Sequence, residues 1–354
     1  MRAKLEDVCV RGSSSLKQSD VIDKTGEYPI YGAAGYIGNV DFYHQDQPYI
    51  AVVKDGAGIG RTSLYPAKSS VIGTMQYLFP KENVLPEYLC YVVKYMHLEK
   101  YFTGATIPHI YFKDYKKEEF NLDILDRQKE IVNILGRIEC VISSRQQELQ
   151  KLDELIKARF VEMFGDPYVN PLKWKKLKIK DAVTIEPQNG LYKPQSDYVT
   201  DGTGIPILRI DGFYDGMVTD FASLKRLKCS ETERQRYLLL EDDIVINRVN
   251  SIEYLGKCAH IKELLEDTVY ESNMMRMHFD PEYYNPVYIC KLLCSQFIYD
   301  QIVNHAKKSV NQASINQKDV LDFNIYQPPL DLQNEFADFV HQVNKSKVVV
   351  SNIS

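Results

Sequence analysis

The stretch from Gln128 to Met163 constrains the fold of this chain more than any other. Its apolar residues recur in alternating steps of four and three, with Arg145 filling the one gap: Ile131, Leu135, Ile138, Ile142, Leu149, Leu152 and Ile156. This 3.5-residue repeat predicts a helix about 50 Å long with a narrow apolar seam. Because its other faces are polar and it lacks proline, we expect it to bridge two bodies and to pair with another helix. The alternative is an ordinary surface helix packed on its own domain.

Length and composition indicate a soluble protein of two domains. The chain has 354 residues, of which 44% are hydrophobic and 26% charged. No apolar run approaches the length needed to cross a bilayer, and the first residues lack the apolar region of a signal peptide, so we expect a cytoplasmic location. The net charge of −5 argues against a uniformly basic nucleic-acid coat but allows one basic face. The seven cysteines lack the spacing of zinc ligands, which predicts reduced thiols and no metal site.

The second half of the chain repeats the plan of the first. Four segments of the first half recur in the same order in the second, and the pairs are 5–8 with 179–182, 27–32 with 204–209, 49–54 with 243–248, and 104–110 with 309–315. The predicted architecture is therefore α+β and duplicated: two globular domains of mixed β-sheet with helices, and two helices related by a pseudo-two-fold. The expected boundaries are 1–125 and 166–328 for the globular domains, 126–165 for the first helix and 329–354 for the second.

A last repeat places the two helices in one heptad register. Residues 330–335 resemble residues 125–130, an offset of 205. The same offset puts Phe336, Val340, Val343 and Val350 at the positions of Ile131, Leu135, Ile138 and Arg145, which predicts an antiparallel pair of coiled-coil helices. Because the chain given stops at the position equivalent to Leu149, we expect Leu152 to Met163 to need another surface.

Motifs for chemistry are weak throughout. Gly56 to Gly60 follows a predicted strand, but its spacing differs from that of a nucleotide-binding loop and an extended segment follows, so we interpret it as a tight β-turn. No nucleophile–base pair, metalloprotease motif or methyltransferase motif is present. Asp242 and Asp243 form a paired carboxylate, which we interpret as a solvated turn. The sequence therefore predicts a non-catalytic chain.

Polar loops at equivalent places in both halves are the candidate functional residues. Arginine can pair with guanine and asparagine or glutamine with adenine, whereas lysine and serine hold phosphates. Ordinary solvated loops are the alternative, but their recurrence in both halves favours DNA binding. The candidate residues are Lys54, Arg61, Thr106 and His109 in the first half, and Arg209, Asn247, Arg248, Asn250, Lys308, Asn311 and Gln312 in the second.

The chain resembles the specificity subunits of type I restriction-modification systems over nearly its whole length. The most specific match runs from Leu152 to Pro167 and is similar to the end of that family's central conserved helix. The family's glycine-rich signature is matched by residues 31–38. Its Pro-Pro-Leu-x-x-Gln-x-x-hydrophobic signature is matched by residues 328–336, and more loosely, without the prolines, by residues 124–131.

The resemblance implies two target-recognition domains, each reading one half of a bipartite DNA site, with the paired helices setting the spacer. It also implies two methyltransferase (modification) subunits and restriction (motor-nuclease) subunits as partners. Those subunits would use S-adenosylmethionine, ATP and Mg, and no cofactor is expected in this chain. Two other hypotheses remain: a structural adaptor such as an inactive or anti-restriction relative, and a fused methyltransferase-specificity chain cut short. The short second helix puts symmetric docking of both methyltransferase subunits in doubt.

Overall fold

The computed structural model describes residues 1–22, 24–104, 107–218, 220–310 and 312–352, with side chains omitted for residues 349–352. The backbone divides into two compact units, Met1–Ser144 and Arg145–Ser354. The boundary falls inside one helix, Leu125–Phe164, which we call the central helix. The last helix, Leu330–Asn352, is called the C-terminal helix. The other α-helices are Leu5–Val8, Pro86–Tyr95, Phe112–Tyr115, Glu231–Tyr237, Pro286–Leu293, Gln296–His305 and Gln317–Leu321.

The first unit is built on a four-stranded antiparallel sheet. Alternating apolar residues of the strand Tyr49–Val53, buried along its whole length, supply two clusters on opposite faces. The order of its strands is Cys9–Ser13, Met75–Pro80, Tyr49–Val53 and Thr62–Tyr65. A second sheet has the strand order Gly35–Val40, Tyr28–Gly32 and Ser70–Val71, and a third is formed by the pair Arg2–Lys4 and Glu119–Asn121. The helix Pro86–Tyr95 packs its apolar face on the first sheet, with proline at its first turn.

The second unit follows the same plan with a larger sheet. Its central strand, Ile244–Asn247, is also fully buried. The six-stranded sheet has the order Val183–Asn189, Met274–Phe279, Ile244–Asn247, Cys258–His260, Gly216–Val218 and Phe213–Tyr214. Three smaller sheets accompany it. One has the strand order Tyr198–Val199, Arg226–Leu227, Ile205–Leu208 and Val269–Tyr270, and another has the order Val249–Asn250, Ala313–Ser314 and Lys307–Lys308. The third is the pair of strands Lys175–Lys178 and Asn324–Gln327.

A buried glutamine near the start of each long helix shows the duplication in its individual hydrogen bonds. Gln128 accepts a hydrogen bond from the amide of Leu85 (2.8 Å) and donates to the carbonyls of Asn83 and Asp123. Gln333 does the same in the second unit. It accepts from the amide of Asn285 (2.9 Å) and donates to the carbonyls of Tyr283 and Pro328. Both side chains are fully buried, so each clamps the start of its helix to the loop before the helix Pro86–Tyr95 or Pro286–Leu293.

The C-terminal helix packs on the second half of the central helix. Phe336 is fully buried, with its ring 5.5 Å from that of Phe160 and 5.4 Å from that of Phe164. Arg159 pairs with Glu335 (2.9 Å), and Lys347 pairs with Asp153. Because later residues of one helix meet earlier residues of the other, the pair is antiparallel, as the sequence predicted.

The expectation that Leu152 to Met163 lacks a partner was wrong. Ile156, Phe160 and Met163 are buried in one cluster with Val340 and Val343. The reason is direction: in an antiparallel pair, the first turns of the shorter helix meet the last turns of the longer one. The shared heptad register aligned Phe336 with Ile131 in the sequence, but it does not determine which residues of the two helices are in contact.

The other predicted seam residues are in different surroundings. Ile131 packs partly on the core of the first unit, and Leu135 and Leu149 are half-buried. Ile138 and Ile142 are 49% and 43% exposed. The side chain of Val350 lies outside the described residues. The described chain therefore leaves an apolar stripe open on the first half of the central helix.

The interpretation of Asp242 and Asp243 as a solvated turn was wrong for Asp243. Its carboxylate is fully buried and accepts hydrogen bonds from Arg276 (3.0 Å) and the backbone amide of Leu240 (2.8 Å). His278 lies 3.1 Å away on the same carboxylate. A buried charge needs such partners, and the two side-chain partners, Arg276 and His278, come from the neighbouring strand Met274–Phe279, which the local sequence around Asp243 does not reveal. Asp242 is exposed and pairs with His260 (2.7 Å).

None of the helices in the described part of the chain is both long and apolar enough to cross a membrane.

Candidate nucleic-acid interface

In the first unit the candidate residues lie where two loops are joined by backbone hydrogen bonds. The amide of Ile110 donates to the carbonyl of Lys54 (2.9 Å), and the amide of Gly56 donates to that of Pro108 (2.9 Å). These bonds tie the loop after the strand Tyr49–Val53 to the later loop that carries His109. The predicted β-turn is confirmed inside the hairpin that Tyr49–Val53 forms with Thr62–Tyr65. There the amide of Ile59 donates to the carbonyl of Gly56 (3.2 Å) and the amide of Arg61 to that of Gly58 (3.1 Å).

A carboxylate missed by the sequence reasoning organises this site. Asp55 lies 2.8 Å from the ammonium of Lys54 and 2.7 Å from Nδ1 of His109. Burial opposes ionisation of Asp55, but hydrogen bonds from Lys54 and His109 outweigh it and hold its pKa below the usual range. Asp55 therefore orients both side chains and competes with any phosphate for them. Arg61 is exposed, with its Nε 3.4 Å from the carbonyl of Gly58.

The second unit repeats this loop construction with different side chains. The amide of Ile315 donates to the carbonyl of Arg248 (3.0 Å), as Ile110 does to Lys54. The amide of Arg248 donates to the carbonyl of Asn273 (2.8 Å), as that of Lys54 does to Thr74. Val249 pairs with Ser314 as Asp55 pairs with His109. The predicted equivalence of the two loop pairs is therefore confirmed by backbone geometry.

A short hairpin projects the cations of the second unit. The strands Lys307–Lys308 and Ala313–Ser314 pair antiparallel, and the amide of Ser309 donates to the carbonyl of Gln312 (2.8 Å). Lys307, Lys308 and Gln312 are exposed, and Val310 at the tip is 98% exposed. The sequence prediction named Lys308 but omitted Lys307, although adjacent lysines in one polar loop were a visible signal.

The other residues predicted to contact DNA are less available for binding it. Arg248 is half-buried and donates to the carbonyl of Ser272 (3.0 Å). Arg209 is half-buried and donates to the Tyr198 hydroxyl (3.3 Å). Asn250 uses its side-chain oxygen to accept from the amide of Ser251 (2.8 Å). Thr106 and Asn311, two further predicted contacts, lie outside the described residues.

The structure contradicts a direct DNA contact by Asn247. Its side chain is fully buried. Side chains alternate along a strand, so Asn247 shares a face with Val245, which packs in a core cluster with Leu208 and Phe213. The amide-plus-cation pattern around Arg248 was correctly placed on a loop, but Asn247 is still the last residue of the strand.

In the described ranges, no group of histidine, cysteine, aspartate and glutamate side chains is arranged to hold a metal ion.

A family model described as the type I restriction modification DNA specificity domain matches residues 1–154 and 171–349. Because these ranges cover most of the chain, the protein belongs to that family.

Among curated proteins, the chain is similar to the specificity subunit of the type I restriction enzyme EcoKI from Escherichia coli K12. The two are 26% identical over 276 residues, which is 71% of this chain and 58% of that subunit. It is also similar to the putative MjaX specificity subunit of Methanocaldococcus jannaschii. That match is 29% identical over 170 residues, or 47% of this chain and 38% of that protein. The chain thus matches less than two thirds of the length of these relatives.

Solved structures share the fold at lower identity. The type I restriction-modification S subunit from M. genitalium superposes with a TM-score of 0.59 and 13% identity, covering 99% of this chain and 91% of that one. A chain from a study titled as the structural basis of complex assembly and conformational transition of the type I R-M system gives a TM-score of 0.53 and 13% identity, covering 100% and 92%. These two likenesses support the duplicated fold alone.

Proposed function

We propose that this chain is the DNA sequence-recognition subunit of a type I restriction-modification complex. Each unit reads one half of a bipartite duplex site, and the helices hold two methyltransferase subunits and the restriction subunits. Adenine methylation, ATP hydrolysis and cleavage belong to those partners, with S-adenosylmethionine, ATP and Mg as their cofactors. This chain itself is non-catalytic and holds no cofactor.

The observation that carries the proposal is the identical construction of the two loop pairs. Family membership supplies DNA specificity as the class of activity. The backbone hydrogen bonds from Ile110 to Lys54 and from Ile315 to Arg248 match, so the two units carry different side chains on the same loop conformation. A bipartite site needs such a pair of readers, since two similar frames with different side chains select two different half-sites.

Methylome sequencing tests the proposal. A host expressing this chain with its methyltransferase partner should carry methylated adenine in one bipartite motif. The same host expressing the methyltransferase alone should lack that motif. If the chain binds the methyltransferase but no bipartite motif is methylated, the proposal is contradicted and the second candidate function, a structural adaptor, is supported. The helix pair packed around Phe336 fits either function.

Exchange of both hairpin lysines for glutamine should weaken binding to a duplex that carries the motif. Lys307 and Lys308 are exposed and form no salt bridge within the described residues, so they are free to contact phosphates. Removal of one phosphate contact should lower the slope of log affinity against log salt by about one, so the double variant should lower it by about two. Fluorescence anisotropy over a salt series measures this slope.

The matched control for the hairpin variant replaces Lys175 and Lys176, an equally exposed pair on another strand of the second unit. Its salt slope should equal that of the unmodified chain. Equal decreases in both variants would mean that the lysines act only through net charge, and an unchanged slope in the hairpin variant would remove the hairpin from the interface.

A further inference from the structure

Three cysteines from two separate segments of the sequence meet in the second unit. Cys258 lies on the strand Cys258–His260, Cys290 lies in the helix Pro286–Leu293, and Cys294 caps the C-terminal end of that helix. Cys258 and Cys290 are buried, whereas Cys294 is exposed. The Cys294 thiol donates to the carbonyl of Cys258 (3.9 Å), and the thiols of Cys258 and Cys290 donate to the carbonyls of Gly256 (3.1 Å) and Gly216 (3.5 Å).

The backbone around this cluster leaves room for three sulfurs. Gly216 has a φ of +87° and faces the cluster. A Cβ on Gly216 would come within 3.2 Å of the Cys290 sulfur and 3.9 Å of the Cys294 sulfur. The ammonium of Lys291 donates to the carbonyl of Asp215 (2.9 Å) beside the same glycine, which adds a positive charge near the sulfurs.

The thiols are not equivalent. The neighbouring thiols of Cys258 and then Cys290 hold the pKa of the Cys294 thiol well below its usual range, and Lys291 adds to the effect. Burial raises the pKa of the Cys258 thiol, and the proximity of Cys294 together with burial raises that of Cys290. Thiolate is the reactive form of cysteine, so a lowered pKa makes Cys294 the most reactive thiol of the three.

An open cleft borders this cysteine. The cleft has a volume of about 300 Å³ and is lined by Cys294 and Cys258 together with Lys257 and Tyr214. Lys257 is held over the Tyr214 ring, 3.4 Å from its centroid. Peroxides are small and react with exposed thiolates, and a nearby second thiol resolves the product into a disulfide.

We propose that Cys294 is a peroxide-reactive thiol whose oxidation closes a disulfide with Cys258. In the first step the Cys294 thiolate attacks one oxygen of hydrogen peroxide, the O–O bond breaks, and hydroxide leaves and takes up a proton as water. Cys294 is now a sulfenic acid, oxidised by two electrons. In the second step Cys258 loses its proton and its sulfur attacks the Cys294 sulfur. The S–S bond forms, the S–O bond breaks, and the departing hydroxide takes that proton as a second water.

Geometry selects Cys258 over Cys290 as the partner. Cys290 and Cys294 are four residues apart at the end of one helix, where Cβ atoms stand about 5–6 Å apart. A disulfide needs about 3.5–4.5 Å between the Cβ atoms. Cys258 lies on a strand, so helix spacing does not fix its distance from Cys294, and the Cys294 sulfur lies 3.9 Å from the carbonyl oxygen of Cys258.

Alkylation kinetics on the full-length chain test the reactivity of Cys294. At about pH 6.5, where an ordinary thiol is almost wholly protonated, iodoacetamide should label Cys294 about tenfold faster than Cys140. Cys140 is the exposed comparison cysteine on the central helix. Equal labelling rates, measured by peptide mass spectrometry, would overturn the proposal.

Peroxide treatment tests the disulfide. Hydrogen peroxide should link the peptides that contain Cys258 and Cys294 in the unmodified chain. In Cys258→Ala it should instead leave a sulfenic acid on Cys294 that dimedone traps, and Cys294→Ser should form neither product. A Cys290–Cys294 link, or sulfinic acid on Cys294 of the unmodified chain without a disulfide, would overturn the assignment of Cys258. Circular dichroism of Cys258→Ala establishes that the variant folds.

Discussion

Replacement of Gln333 by alanine is expected to destabilise the second unit by about 3 kcal/mol. The change leaves the amide of Asn285 without an acceptor and the carbonyls of Tyr283 and Pro328 without a donor. Urea unfolding measured by tryptophan fluorescence isolates this effect. Trp174 is the single tryptophan of the chain and lies in the second unit, where its indole N–H donates to the carbonyl of Phe164 (2.9 Å).

Two variants control this prediction. Gln342→Ala removes an exposed glutamine from the same helix and should leave the fluorescence transition within about 0.5 kcal/mol of its original free energy. Gln128→Ala removes the equivalent clamp from the first unit. It should shift unfolding followed by circular dichroism while changing the Trp174 transition much less. Indistinguishable transitions for Gln333→Ala and Gln342→Ala would show that the buried amide does not hold the helix in place.

Phe336→Ala is expected to lower the free energy of unfolding of the second unit by about 3–5 kcal/mol. The ring is fully buried and packs edge-to-face on Phe160 and Phe164, and Tyr288 stacks on Phe160 at 5.7 Å. Its removal leaves a cavity between the C-terminal helix and the central helix and breaks two aromatic contacts. The same Trp174 unfolding experiment measures the decrease.

Neighbouring changes on the two helices calibrate the Phe336 result. Phe339→Ala lies one turn away on the C-terminal helix. It should destabilise the unit clearly less, because its ring is half-buried and contacts the Arg159 guanidinium at 5.7 Å. Ile138→Ala, on the exposed half of the seam, should destabilise the chain alone by less than about 1 kcal/mol. A large effect of Ile138→Ala would mean that this face is covered in solution, and a small effect of Phe336→Ala would contradict the observed helix pair.

The sequence located the loops of the candidate interface but did not show which side chains are free. Lys308 and Gln312 were predicted to lie in a polar loop, because lysine, serine and amides cluster there, and the structure places both on an exposed hairpin. Asn247 has the same chemistry one residue before Arg248 but is buried. The partners of Lys54 and His109 were equally hidden, since Asp55 meets His109 only through the fold.

Sequence patterns alone were enough to predict the duplication and the two long helices. Those features follow from local rules: heptad spacing sets a helix with one apolar face, and repeated segments of one sequence adopt repeated backbones. Which half of the seam is covered is a property of the folded chain, because pairing depends on helix direction and on where the chain returns. The long helix predicted over residues 126–165 is present as Leu125–Phe164, but the described chain buries Ile156 and Phe160 in its second half and leaves Ile138 and Ile142 open.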